Sequence, residues 1–179
     1  MLPFAWRYAG MIYLYHGTDV EFDTPIPDKG RRGTDFGQGF YLTPNLESAV
    51  NMAHRVSRRK NSPDSVVMCY SLDENQLASA GLRIRSFLNI EPEWLRFVVA
   101  NRYLQQNAPD HNLDGRWDVV HGFIADDRIV MLLDALVKGT ATEEEVLKAL
   151  RMAQFRAVQY SFHSLEAISL LTRLEVKHV

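Results

Sequence analysis

The chain has 179 residues, of which 46% are hydrophobic and 23% charged, enough for one sizeable core and too few for two full domains. A formal net charge of -2 and a pI near 6.3 give no electrostatic case for a broadly basic nucleic-acid or membrane-surface binder, and only a local basic turn at Lys29, Arg31 and Arg32 remains. The single cysteine, Cys69, excludes an internal disulfide framework and any CxxC metal site, and suits a reducing, cytoplasmic location.

Residues 1–10 are apolar, but Arg7 interrupts the run and no small-x-small cleavage site follows, so neither an export signal nor a spanning helix is expected. Met11 serves equally well as a start, which makes 1–10 an N-terminal extension and 11–179 a single domain. Alternation over 11–15 predicts a strand that delivers His16. Gly17 behind it lets another molecule approach the backbone closely. Residues 19–33 carry Pro25, Pro27, Gly30 and Gly33 among charges and read as an exposed loop able to close over a ligand.

A second strand covers 39–42. Thr43 as N-cap and Pro44 as first residue open a helix with Leu46, Ala49, Val50 and Ala53 on one face, and its basic tail of Arg55, Arg58, Arg59 and Lys60 suits the negative end of the dipole. Valine-rich 65–72 is a third strand, with Cys69 as core filler, and 82–88 a fourth. Pro92 starts a helix patterned by Trp94, Leu95, Val98, Val99, Tyr103 and Leu104, and 107–116 is a polar loop. A brief strand over 117–120 ends at His121 and Gly122. A helix over 124–137 follows, with Asp126 and Asp127 at its start and Gly139 past its end. Thr142 and Glu145 form a capping box for a helix to about Gln154. The chain closes with a strand over 157–162, a short helix opened by His163 or Ser164 and running to Leu171, and a last strand over 174–179.

Two compact motifs carry the chemistry: Tyr15-His16-Gly17-Thr18, and Phe36-Gly37-Gln38-Gly39-Phe40-Tyr41-Leu42-Thr43. Histidine at a strand end offers a ring donor beside an open main-chain amide and carbonyl, which suits a ligand bearing a sugar hydroxyl and a carboxamide. Tyr41, leaving a Gly-x-Gly turn, offers a flat face for a planar heterocycle. Arg31 and Arg32 can pair with a pyrophosphate through their planar forks. Amide-bearing ring, ribose and pyrophosphate together spell a nicotinamide dinucleotide, yet the strand, glycine-rich turn and helix of a Rossmann site are missing.

These residues resemble the NAD-binding core of the ADP-ribosyltransferases of the diphtheria-toxin and poly(ADP-ribose) polymerase type. With the later Trp117-Asp118-Val119-Val120 and Gln159-Tyr160-Ser161-Phe162-His163, the whole pattern more closely resembles a family of small bacterial proteins catalogued as a domain of unknown function and related to those transferases. The resemblance implies an α+β, ADP-ribosyltransferase-like fold of two small packed, mainly antiparallel sheets with flanking helices. It implies NAD as co-substrate, no metal, and transfer of one ADP-ribose to an acceptor that is a protein, a nucleic acid or a small molecule, with nicotinamide released. It also implies a neutralising partner protein, as small bacterial transferases of this type often have.

Residue by residue, His16 would hold the adenosine-side ribose, the Gly17 backbone the carboxamide, and Tyr41 would stack under the nicotinamide. Thr18, Gly39 and Phe40 complete the binding motifs. The third catalytic position, a glutamate in the related enzymes, falls on Gln159, giving His-Tyr-Gln. A glutamine can accept a ribose hydroxyl proton in a hydrogen bond but brings no charge to a transition state of oxocarbenium character, an effect on the order of 3 kcal/mol. Asp118, Asp126, Asp127 and Glu166 are the carboxylates available to help. Met52 stands where the related enzymes place a second aromatic, so the nicotinamide clamp is expected to be looser. The rival readings are a non-catalytic module that binds NAD or ADP-ribose, and an interaction protein with a vestigial cleft.

Overall fold

The computed structural model describes residues 10–152 and 157–179. In chain order the elements are β1 (Met11–Thr18), β2 (Phe40–Leu42), α1 (Leu46–Lys60), β3 (Val66–Asp73), α2 (Glu74–Ser79), β4 (Ile84–Ser86), α3 (Pro92–Arg102), β5 (Val119–Phe123), α4 (Asp127–Val137), α5 (Glu143–Met152), β6 (Val158–Phe162), α6 (Leu165–Ile168) and β7 (Thr172–His178). The strands form two sheets, β1-β3-β7 and β2-β6-β5-β4. Every pairing is antiparallel except β4 with β5.

Side-chain alternation along these strands builds the layers. Ile12 and Leu14 of β1 share a face with Met68, Tyr70 and Leu72 of β3, and they meet Phe40, Leu42, Val119 and Phe162 from the second sheet in one apolar layer. The opposite face of β1 and β3 receives α1 through Ala49, Ala53 and Val67. The opposite face of the second sheet, reached by Val120, packs on α3, α4 and α5 through Trp94, Phe97, Leu133, Val146 and Leu150. The order is therefore helix, sheet, sheet, helices. Fully burying a leucine or phenylalanine contributes about 1.5–3 kcal/mol, so the inter-sheet layer fixes the two sheets firmly where it is filled.

Several sequence expectations shift. The N-cap of α1 is Asn45, whose side chain accepts from Ser48 N at 2.8 Å, and not Thr43. Thr43 is instead held in sheet pairing with Tyr15. Residues 119–123 stay extended as β5, so α4 begins at Asp127 with Asp126 as its cap rather than at Ile124. Helix α2, capped by Asp73, lies where no helix was expected, and β4 is shorter than the strand read over 82–88. Helix α6 ends at Ile168, earlier than Leu171, and β7 starts at Thr172. Residues 1–9 of the N-terminal extension and the helix end near Gln154 lie outside the described residues. No helix among the described residues is long and apolar enough to cross a membrane.

Candidate functional site

Among the described residues, the two sheets pair edge to edge at one place. Tyr15 N donates to Thr43 O at 2.8 Å and Thr43 N to Tyr15 O at 2.9 Å. In an antiparallel strand, residues two apart present their backbone groups to the same side. The N–H and C=O of Gly17 therefore face away from β3, as those of Tyr15 do, along the same edge. Beyond the Tyr15–Thr43 bridge the strands part, and neither group of Gly17 finds a partner among the described residues. Gly17 is buried, so an orphaned amide and carbonyl lie side by side in the gap, an arrangement native structures rarely leave unused.

The demand for glycine at this position has a different origin from the one expected. A Cβ on Gly17 would lie 2.0 Å from Ala49 O and 2.7 Å from Ala53 N. What approaches the backbone closely is α1 of the same chain, and the ligand side is the strand edge at right angles to it.

His16, the next residue back, bridges the same gap. Its Nδ1 lies 2.8 Å from Tyr41 O. A carbonyl only accepts, so Nδ1 carries the proton, and burial lowers the pKa of the ring and keeps it neutral. The remaining nitrogen, Nε2, is then a lone-pair acceptor with no partner among the described residues. The expected ring donor is thus engaged inside the protein. His16 offers a ligand an acceptor instead, which fits a sugar hydroxyl equally well. Phe40, 4.6 Å away, and Phe22, 5.8 Å away, pack against the imidazole.

Tyr41 lies beside His16 through its backbone, but its ring points to the opposite face of β2, toward the α3–α5 layer. The phenol anchors the preceding turn. Its oxygen accepts from Phe36 N at 3.0 Å, lies 2.6 Å from Gly37 O and meets Thr34 Oγ1 at 2.9 Å. Burial raises the phenol pKa, so it stays protonated. The ring runs nearly parallel to Phe36 and meets His163 edge-on. Tyr41 is held rigidly, with its hydroxyl end enclosed.

Gln159 on β6 shares that face, since Tyr41 pairs with Ser161 two residues away. Its Nε2 donates to Asp35 Oδ2 at 2.9 Å. Ala125 N also donates to Asp35 Oδ2 at 2.9 Å, and Arg102 from the end of α3 forms an ion pair with Oδ1. Burial pushes the Asp35 carboxyl upward while Arg102 and the two N–H donors oppose that push. Turn 34–37 is therefore clamped to two of the three residues in the His-Tyr-Gln set. Sequence reasoning passed over Asp35, Thr34 and Arg102, although the first two stand inside or beside the second motif.

The other expected residues sort as follows. Thr18 is buried at the end of β1, and Phe40 belongs to the inter-sheet layer. Gly39 is enclosed by its own chain, a Cβ there lying 2.6 Å from the His163 ring. Arg31 and Arg32 are exposed, with Arg32 Nε donating to Gln38 Oε1 at 3.3 Å, and Met52 is exposed on α1. Of the carboxylates considered as helpers, Asp118 is gripped by Arg83 at 2.9 and 3.1 Å, which pulls its pKa down to about 2. Asp126 caps α4, and Asp127 and Glu166 are exposed. Among the described residues there is no group of three or more histidine, cysteine or acidic side chains that could hold a metal.

Fold and site define an α+β domain in which two sheets part at a histidine–glycine strand end and leave polar backbone open in the gap. The chain belongs to the family described as protein of unknown function (DUF3990), which matches residues 12–172. Comparison with curated proteins and with solved structures gives no match.

Proposed function

We propose that this protein is an NAD-dependent mono-ADP-ribosyltransferase with an ADP-ribosyltransferase-like fold. The observation that carries the reading is the N–H and C=O of Gly17 at the parted edge of β1, which have no partner among the described residues. A carboxamide is the complementary group, accepting from the one and donating to the other, and nicotinamide bears one. Beside it, His16 Nε2 accepts a ribose hydroxyl, and the Oε1 of Gln159 is the end of that amide left for the second ribose. Arg31 and Arg32 in the exposed turn are the cations within the motif region for the pyrophosphate. Tyr41 serves through its carbonyl, which holds the His16 ring, and through its phenol, which anchors turn 34–37.

One observation favours a second reading, a module that binds NAD or ADP-ribose without turnover. Gln159 is uncharged, and the nearest carboxylate, Asp35, is already paired with Arg102. Incubation of the pure protein with NAD labelled in the nicotinamide ring separates the two. Release of labelled nicotinamide that His16→Ala abolishes establishes the enzyme, binding without release establishes the module, and absence of binding removes both.

A further inference from the structure

The residue behind Gln159 explains why position 159 is a glutamine. We infer that Asp35 is the positioning residue for Gln159: its carboxylate fixes which end of the amide faces the ligand. Asp35 sits in turn 34–37 with 5% of its side chain exposed, and its two oxygens take Arg102, Ala125 N and Gln159 Nε2. Arg102 and Ala125 N already donate to these two oxygens, so Asp35 serves as an acceptor here and the amide presents Nε2 to it. Oε1 is thereby turned away from Asp35, an acceptor with no partner among the described residues. Without Asp35 the amide can rotate by half a turn and offer a donor where a ribose hydroxyl needs an acceptor.

The same contact makes glutamate at 159 a poor choice. It would set a second carboxylate against Asp35 at the 2.9 Å now spanned by the amide hydrogen bond, and two such groups do not both ionise. Arg102, which touches Asp35 directly, offsets its charge, so the carboxylate acts through orientation and not through its field on the substrate. The charged and titratable groups facing this pair are Arg102 from α3 and the Tyr41 phenol from β2.

The inference rests on the transferase reading, and the experiment separates the two. Nicotinamide release is measured for wild type, Asp35→Ala and Gln159→Glu, with folding followed by circular dichroism. Asp35→Ala removes the oxygen that takes both Ala125 N and Gln159 Nε2; it is expected to lower kcat on the order of 100-fold, the scale of a misplaced reacting group, while KM for NAD stays within about threefold because the Gly17 and His16 contacts are untouched. Should Asp35→Ala fail to fold, Gln159→Glu carries the test alone. Its two acids share one proton at low pH and repel at high pH, so its kcat falls as pH rises through neutrality relative to wild type. Unchanged kcat in a folded Asp35→Ala, or a Gln159→Glu profile that parallels wild type, overturns the positioning role while leaving the enzyme intact. A wild type that releases no nicotinamide overturns the transferase reading and this inference with it.

Discussion

At Gly17 two demands meet on one residue from perpendicular directions. The missing side chain admits α1, and the backbone groups at the strand edge remain open. Gly17→Ala places a methyl against Ala49 O, where backbone and not a flexible side chain must yield. The expected loss is about 3 kcal/mol, read from urea denaturation. Loss of ligand binding in that variant therefore reports on the fold and not on the site. His163 supplies a pH-dependent counterpart. Burial lowers its pKa to about 4, with Nδ1 donating to Gln38 O and Nε2 lying 2.8 Å from Ser161 Oγ. The unfolded ring binds a proton near pH 6.5, so between about pH 6.5 and 4 the unfolded state takes up more protons than the folded one. Stability is complete above that window and declines as pH falls through it, by roughly 3 kcal/mol in all. His163→Gln should show a smaller decline than wild type when denaturation midpoints at pH 7 and pH 4.5 are compared, the buried His16 and His121 supplying what remains. His16 and Tyr41 stood out in the sequence because glycines mark their motifs, although the turn of the Tyr41 ring to the far face of β2 did not. Asp35 was not, because its partners Ala125, Gln159 and Arg102 lie 67 to 124 residues further along the chain and no local pattern records such a network.

Elements were legible where their apolar pattern is long. The alternation of β1, the start of α3 at Pro92 and the Thr142–Glu145 capping box appear as read, the box with Thr142 N donating to Glu145 Oε2 at 2.8 Å, whereas α3 ends at Arg102 and leaves Tyr103 and Leu104, read on its stripe, outside it. Misreadings fall where the element is short or the boundary depends on the sheet. Helix α2 buries only Leu77 and offers no periodicity over its six residues. Thr43 has the right side chain for a cap, but pairing with Tyr15 keeps it extended and passes the role to Asn45. Asn45 is exposed and its oxygen satisfies one of the free first-turn amides of α1. Asn45→Ala should therefore cost about 1 kcal/mol in thermal or urea unfolding without altering the chain's fold. Because α1 covers Gly17, part of that loss should also appear as faster amide exchange at the start of the helix.

At the scale of the whole molecule, the proposed ligand lies across the join between two sheets instead of inside either one. The first sheet supplies Gly17 and His16, the second supplies Gln159 and the Tyr41 carbonyl that holds the His16 ring, and the Tyr15–Thr43 bridge sets the point from which they diverge. Such a site divides a dinucleotide. The carboxamide end needs only the Gly17 edge, and the adenosine-side ribose needs only His16. The two halves of NAD should therefore report on different residues when added separately to protein labelled with nitrogen-15. Nicotinamide alone is expected to shift the Gly17 amide resonance, because that N–H gains its first hydrogen-bond acceptor, and to leave the His16 ring nitrogens unmoved. ADP-ribose alone should shift His16 Nε2, which gains a donor, with little change at Gly17. Tyr15, whose amide is already bonded to Thr43 at 2.8 Å, is the internal control and should move least. If both compounds shift the same scattered surface residues, or neither touches Gly17, the gap between the sheets is not a dinucleotide site, and the unpaired backbone there must answer to some other ligand.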